Sequence, residues 1–293
     1  MEREIINFEK FLREKSMSDS TVASYITDLK SFFDYLSDKN ISDCKNVSSK
    51  EIDTYINKLI KSGKANSSVL RKLATLRKFY GFLYDNVKIR HNPMDNVASV
   101  KSKKKIPSVL TSKEIDTLLS QPDISNSRGI RDKAILELLY ATGIKVSELI
   151  NLSVSDVNKF YGYIILNSKD EGRIIPVYKK CLDVLYTYID NCRKDFLVRP
   201  DETALFLNAT GTGFTRQGIW KIIKKYAETA KIDKDITPHT LRHSFALHLL
   251  QNGADAGDVS DMMGNSDVSS VSVYTELIKN KYKDVYKKYH PKA

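Results

Sequence analysis

Three side chains in the last quarter of the chain are suited to chemistry on one phosphodiester. Thr237 and Pro238 predict a helix start, since a capping hydroxyl before a proline at the first helical position is a common N-terminus. His239 and Arg242 then share one face of the first turn, where free N–H groups and the helix dipole favour an anion. Arginine can hold the phosphate, histidine can exchange a proton, and the phenol of Tyr274 can attack.

Lys169 is a further candidate because it occupies the predicted tip of a β-hairpin. Apolar residues alternate with period two in segments 163–166 and 173–177, on either side of a short polar turn. A lysine at such a tip can reach into a groove and act as a general acid if its pKa is lowered, although most turn lysines are merely solvated. His243 and His248 are assigned to packing or supporting roles.

Elements with different periodicity position these residues. Residues 1–100 contain four amphipathic helical stripes, which predict a four-helix domain whose aromatic residues belong to its core. The basic stretch 101–107 ends in proline and predicts a linker. Residues 108–293 combine helices with the hairpin and a third short strand at 204–207. The expected fold class is therefore mainly α with a small antiparallel β-sheet, in two domains.

Composition favours a polyanionic partner. The 293 residues include 47 Lys and Arg against 36 Asp and Glu, a net charge of +11. Such a balance is typical of proteins that bind nucleic acid, and solubility alone is the competing explanation. Basic residues interleave with the fourth apolar stripe and crowd the linker. The candidate DNA contacts are Arg71, Lys72, Arg77, Lys103, Lys104 and Arg216.

Other features exclude several classes of protein. Cys44, Cys181 and Cys192 are scattered without a C-x-x-C pair, which argues against a disulfide framework or a zinc site and favours reduced thiols in the cytoplasm. The charged N-terminal stretch lacks the apolar region of a secretory signal. No apolar run approaches the roughly 18–20 residues that a membrane span requires.

Ordered motifs along the chain resemble the tyrosine recombinases, specifically the bacterial Xer type. The motifs are Ala-Thr-Gly-Ile-Lys at 141–145, His-Thr-Leu-Arg-His at 239–243, Gly-Asn-Ser at 264–266, Val-Tyr-Thr at 273–275 and the tail from Tyr289. The resemblance covers the whole chain and identifies residues 1–100 as the family's core-binding DNA clamp and 108–293 as its catalytic domain.

The resemblance implies a reaction and a role for each residue. Tyr274 would attack a scissile phosphate to give a 3′-phosphotyrosyl link, and Lys169 would protonate the leaving 5′ oxygen. Arg242 and His239 would contact the non-bridging oxygens and the proton of the nucleophile. The cations supply the charge stabilisation, so neither a metal nor another cofactor is expected. The implied partners are double-stranded DNA and a second recombinase, either a copy of this chain or a paralogue.

Two positions depart from the family pattern. Lys145 stands where the first family arginine is expected, and Asn265 stands where histidine or tryptophan is expected. Lysine keeps the charge but loses the planar fork that grips two phosphate oxygens. Loss of one preorganised donor typically costs about 3–4 kcal/mol, or roughly 10²–10³ in rate. Asn265 still donates a hydrogen bond but cannot titrate.

Three hypotheses follow from these residues. In the first, the chain is a fully active site-specific recombinase, for chromosome dimer resolution or mobile-element integration. In the second, it is a recombinase-fold DNA-binding protein in which Lys145 and Asn265 attenuate or abolish cleavage. In the third, it is a basic helical regulator unrelated to recombination. The motifs disfavour the third, and the two substitutions favour the second.

Overall fold

The computed structural model describes residues 1–97, 107–166 and 172–264, together with Val271 and Tyr274. The chain divides into two compact units, Met1–Lys105 and Ile106–Ala293. Most of the basic linker expected at 101–107 lies outside the described residues. The domain limits 1–100 and 108–293 therefore stay a prediction.

Within residues 1–97, four α-helices form the first unit, one for each apolar stripe. They are α1 (Glu2–Glu14), α2 (Asp19–Ser37), α3 (Ser49–Lys61) and α4 (Asn66–Asp85). Ser48 and Glu51 form a capping box at the start of α3, because the Glu51 carboxylate accepts the Ser48 backbone N–H. Phe8, Phe32 and Phe79 are fully buried. The prediction that the aromatic residues belong to the core is confirmed for these three.

In the described part of the second unit, seven α-helices surround a small sheet. They are α5 (Ser112–Leu119), α6 (Ser127–Thr142), α7 (Val146–Leu149), α8 (Lys179–Thr187), α9 (Arg216–Thr229), α10 (Pro238–Gln251) and α11 (Ala256–Met263). Helix α6 is buried on nearly all sides and packs against α8 and α10, as expected of a central helix. Thr237 caps α10 and Pro238 occupies its first turn, so the predicted helix start is confirmed. The sequence analysis did not predict α8.

Three strands among the described residues form one antiparallel sheet in the order β1-β2-β3. They are β1 (Val157–Asn158), β2 (Tyr163–Leu166) and β3 (Arg173–Pro176). Strands β2 and β3 are the predicted pair, and their register places buried Ile164 opposite buried Ile175. The turn between them, which includes Lys169, lies outside the described residues.

The prediction of a strand at 204–207 is wrong, and the strand that accompanies the hairpin in the sheet is β1 instead. Ala204 forms an isolated bridge with Ser153. The Leu207 N–H donates to the Tyr188 hydroxyl at 3.1 Å. Because the hydrogen bonds of this segment go to separate partners, no ladder forms. Its apolar run reflects burial in the core, which periodicity alone does not distinguish from a buried strand.

Two glycines end helices that converge on the predicted site. Gly143 follows α6 and Gly264 follows α11, each with φ +59° in the left-handed region. Glycine occupies this conformation without the steric cost that a Cβ imposes. A Cβ on Gly143 would also lie 2.3 Å from the Phe245 ring. Glycine at these two ends therefore lets the backbone carbonyls turn towards neighbouring side chains.

The remaining sequence expectations concern membranes, metals and thiols. None of the helices in the described residues is long and apolar enough to cross a membrane. Within those residues, no three His, Cys, Asp or Glu side chains are grouped so as to hold a metal ion. Cys44, Cys181 and Cys192 are free and buried. Burial raises the pKa of the Cys44 thiol to about 11, so this thiol is protonated and unreactive near neutral pH.

Candidate active site

Arg242 is held between the C-terminal ends of two helices. Its Nη1 donates to the Gly143 carbonyl oxygen at 2.5 Å, and its Nη2 donates to the Met263 carbonyl oxygen at 2.6 Å. Helix C-termini carry partial negative charge, which favours a cation at this place. Burial is the main cause that lowers the pKa of Arg242, and the Glu148 carboxylate opposes it. Arginine stays charged in proteins, so the guanidinium is a fixed, preorganised cation.

Lys145 lies directly before α7, close to the same helix ends. Its Nζ donates to the Gly264 carbonyl oxygen at 3.2 Å, and its backbone N–H donates to Glu148 Oε2 at 2.6 Å. The side chain is exposed. The ammonium therefore lies on the Gly264 carbonyl oxygen and remains accessible to an anion from solvent. A guanidinium would fit the same exposed position and offer two parallel donors.

Four of the predicted residues meet at one cleft of about 460 Å³. Lys145 comes from the start of α7, His239 and Arg242 from the start of α10, and Arg216 from the start of α9. Trp220 of α9 also lines the cleft. The N-termini of the two longer helices, α9 and α10, lie at the cleft, so their free N–H groups add to the positive potential of the side chains. The cleft is suited to an oxyanion such as a phosphodiester.

Tyr274 is buried beside this cleft in an apolar cluster. It is 4% exposed and packs with residues of α10 and α11, including Phe245 and Met263. Its hydroxyl is 2.5 Å from His243 Nδ1. Burial raises the pKa of the phenol, and the Arg242 charge lowers it in part. Its partner His243 lies next to His239, which lines the cleft, with the two imidazole rings 6.2 Å apart.

His243, for which the sequence predicts a packing or supporting role, is directly hydrogen-bonded to Tyr274. Burial, with the neighbouring His239 and Arg242, lowers the pKa of His243 to about 4. The imidazole is therefore neutral at pH 7, and its tautomer decides whether Nδ1 accepts from or donates to the Tyr274 hydroxyl. Spacing offered one signal for this contact, since His243 lies one turn after His239 on the same side of α10.

Four predicted residues cannot be placed. Lys169 and Asn265, expected at the active site, lie outside the described residues. Lys103 and Lys104, expected on DNA, lie outside them as well. Their roles stay predictions.

The basic residues of α4 differ in what they offer to a phosphate. Arg71 Nη1 lies 2.7 Å from Asp28 Oδ2, and Lys72 Nζ lies 3.1 Å from Asp28 Oδ1. The Lys72 side chain is only 13% exposed, so the buried carboxylate of α2 holds its charge. Lys72 thus joins α4 to α2 through this ion pair, and its expected contact with DNA stays a prediction. Arg71 and Arg77 are exposed and stay candidates for DNA contact.

Comparison with known proteins places this geometry in context. Residues 108–281 match the phage integrase family, and residues 5–86 match the phage integrase N-terminal SAM-like domain. The chain is 40% identical to tyrosine recombinase XerD of Staphylococcus epidermidis over 99% of this chain and 98% of that protein. It is 40% identical to tyrosine recombinase XerD of Listeria innocua over 96% of this chain and 95% of that protein.

Solved structures have the same fold at low sequence identity. The post-cleavage complex of the XerH site-specific recombinase with palindromic difH substrate has a TM-score of 0.77 at 20% identity, over 90% of this chain and 78% of that one. A lambda integrase dimer bound to a COC′ core site has a TM-score of 0.71 at 18% identity, over 94% of both chains. The resemblance inferred from the motifs and the predicted two-domain, mainly helical fold class are both confirmed.

Proposed function

The chain belongs to the phage integrase family, the tyrosine recombinases, and on that premise we propose that it binds duplex DNA at a specific site and cleaves and rejoins strands through Tyr274 at a reduced rate. The observation that carries the proposal is the cleft where Lys145, His239 and Arg242 meet, with Tyr274 held beside it by His243. Cations fixed on helix ends and a nearby phenol are what metal-independent phosphoryl transfer requires.

In the proposed reaction, the Tyr274 oxygen attacks the phosphorus of one phosphodiester. A bond forms between phosphorus and the phenolic oxygen, the bond from phosphorus to the 5′ oxygen breaks, and Lys169 gives a proton to that oxygen. The phenol proton passes to His239. Arg242 and Lys145 stabilise the charge on the non-bridging oxygens. Attack by a 5′-hydroxyl on the phosphotyrosine reverses these steps and releases Tyr274, so strands are rejoined without a nucleotide cofactor.

The position of Tyr274 adds a step before the chemistry. Its hydroxyl is hydrogen-bonded to His243 Nδ1, and that hydrogen bond would open when the phenolic oxygen engages the phosphate. Transfer of the hydroxyl from an imidazole to a phosphate oxygen keeps it hydrogen-bonded, which limits the cost of leaving its buried place. DNA in the cleft would favour the released form by differential binding.

The reduced rate follows from Lys145 and Asn265. The exposed Lys145 ammonium offers one point charge where the family arginine offers two parallel donors. Loss of one such donor corresponds to roughly 10²–10³ in rate. Asn265 adds a neutral donor in place of a titratable one. The two effects belong to one catalytic unit and need not add.

DNA binding is expected to survive these substitutions because it is shared among many phosphate contacts. The net charge of +11, with exposed Arg71, Arg77 and Arg216, supports this part of the proposal. Solved recombinases of this fold are described as bound to DNA, one of them as a lambda integrase tetramer on a Holliday junction. We place this chain in the cytoplasm, acting on DNA with copies of itself or a paralogue.

The experiment starts from a randomised pool of duplex DNA. Duplexes retained by the protein at 150 mM salt are amplified, and the selected sequence is rebuilt with a nick next to each candidate cleavage position. We expect a denaturation-resistant protein–DNA adduct that forms slowly with the natural chain and is absent with Tyr274→Phe. Specific retention with no adduct after days would refute cleavage. No enrichment of any sequence would refute site-specific binding.

A further inference from the structure

Arg173 opens β3 beside the cleft, although no part of the proposed reaction uses it. Its Nη2 donates to Glu148 Oε2 at 2.9 Å, and its side chain is 22% exposed. The same carboxylate oxygen accepts the Lys145 backbone N–H at 2.6 Å. Glu148 Oε2 thus accepts hydrogen bonds from both the Arg173 guanidinium and the Lys145 backbone N–H.

Arg173 also lies directly against the end of α11. A Cβ on Gly264 would fall 1.9 Å from Arg173 Nη1, so the guanidinium occupies the space that glycine leaves open. The Gly264 carbonyl oxygen accepts a hydrogen bond from the Lys145 ammonium, and the preceding Met263 carbonyl oxygen accepts one from Arg242 Nη2. Arg173 therefore contacts the helix end to which two cations of the cleft, Lys145 and Arg242, are hydrogen-bonded.

The charges around Glu148 determine what this contact does. The Arg173 charge lowers the pKa of Arg242, and the Glu148 charge raises it, so all three groups lie within electrostatic reach. The Lys145 backbone N–H donates to the Glu148 carboxylate, while the Lys145 ammonium donates to the Gly264 carbonyl oxygen. Without Arg173, the cations near the Glu148 carboxylate would be Arg242, which is already fixed on two carbonyl oxygens, and the more flexible Lys145 ammonium. Pairing of the two would withdraw the Lys145 charge from a bound phosphate.

We propose that Arg173 is a positioning residue, which occupies Glu148 so that the Lys145 ammonium stays available to the phosphate and which braces the Gly264 turn that supports it. This role rests on the proposed function for its catalytic consequence. It matters more for lysine than for arginine at position 145, because a single flexible ammonium is easily redirected by one carboxylate.

The first test measures the availability of Lys145 without any DNA reaction. Trace labelling with acetic anhydride, followed by mass spectrometry of the peptide, gives the reactivity of this amine at each pH. We expect Arg173→Gln to lower Lys145 labelling at least threefold near neutral pH, since an ion pair with Glu148 protects the ammonium. The double variant Arg173→Gln with Glu148→Gln should restore labelling. Arg199→Gln, which removes an exposed ion pair with Glu202, is the matched control.

The second test measures adduct formation at saturating concentrations of the selected nicked duplex. Arg173→Gln should slow the single-turnover rate at least tenfold with Kd changed less than threefold. The double variant with Glu148→Gln should be faster than Arg173→Gln alone, and Arg173→Lys should recover part of the rate. A purely structural role predicts instead that the double variant is the slowest of the three.

The outcomes separate this inference from the proposed function. Unchanged Lys145 labelling in Arg173→Gln, or no recovery in the double variant, overturns the role of Arg173 whether or not the protein cleaves DNA. If the natural chain gives no Tyr274-dependent adduct while labelling falls and recovers as expected, the proposed cleavage fails and the positioning of Lys145 by Arg173 stands. Unfolding followed by Trp220 fluorescence shows that each variant is folded.

Discussion

The hydrogen bond between His243 and Tyr274 allows a quantitative test of the site geometry. Tyr274 is 4% exposed, and its hydroxyl is hydrogen-bonded to His243 Nδ1 at 2.5 Å. Replacing His243 by phenylalanine keeps a ring of similar shape but removes the acceptor. A buried hydroxyl without a partner costs about 1–3 kcal/mol. We therefore expect His243→Phe to destabilise the catalytic unit by about 2 kcal/mol, and to do much less in a Tyr274→Phe background.

The chain has a single tryptophan, Trp220, and it lies in the same unit as Tyr274. Urea unfolding followed by its fluorescence reports that unit selectively. With a slope of about 2 kcal/mol/M, the expected loss lowers the unfolding midpoint by roughly 1 M. The four proteins of the double-mutant cycle should give a coupling free energy of about 1–3 kcal/mol.

Matched variants decide how the cycle is interpreted. His243→Gln keeps an acceptor and should lose less stability than His243→Phe. His239→Phe, on the exposed position one turn earlier, should change the midpoint little. Additive effects of His243→Phe and Tyr274→Phe, within about 0.3–0.5 kcal/mol, would show that the two side chains do not interact in solution. The hydrogen bond between His243 and Tyr274 would then be refuted.

Three further predictions follow from the same site. Burial lowers the pKa of His243 to about 4 and also lowers the pKa of His248, so the unfolded chain binds more protons than the folded chain below about pH 6.5. The free energy of unfolding should therefore fall as the pH drops from about 6.5 towards 4. In urea titrations at each pH, His243→Gln should flatten this fall. Gly143→Ala places a Cβ on a left-handed backbone and 2.3 Å from the Phe245 ring, so it should lower the free energy of unfolding by roughly 2–4 kcal/mol in the same assay. An unchanged unfolding midpoint would contradict the φ of +59°. Arg216→Gln removes one exposed cation of the cleft and should lower the slope of log K against log salt by about 1 without changing which duplex is selected; an unaltered slope would place Arg216 off the DNA.

Local signals explain what could be predicted from the sequence. The start of α10 depends on Thr237 and Pro238, which act within one turn, so the shared face of His239 and Arg242 could be predicted. The hairpin strands followed from period two, and the helices of the first unit from their apolar stripes. The false strand at 204–207 arose because a buried apolar run has the same pattern in an irregular segment as in a strand.

Contacts between distant segments could not be predicted. Arg242 donates hydrogen bonds to carbonyl oxygens at the ends of α6 and α11, and Lys72 forms an ion pair with Asp28 on another helix. Sequence spacing carries no information about such partners. The same holds for the hydrogen bond of His243 to Tyr274, which joins α10 to a residue beyond α11. The chemistry of each residue type was therefore predictable, while the choice of its partner depended on tertiary packing.

We propose that this site cleaves DNA through Tyr274 and that the lysine at position 145 slows the cleavage. The direct measurement is the single-turnover rate of adduct formation on the selected nicked duplex for the natural chain and for Lys145→Arg, with the linked peptide identified by mass spectrometry. We expect attachment at Tyr274 in both proteins and a rate roughly 10²–10³ higher in Lys145→Arg at unchanged Kd. Equal rates, or an adduct on any residue other than Tyr274, would contradict it.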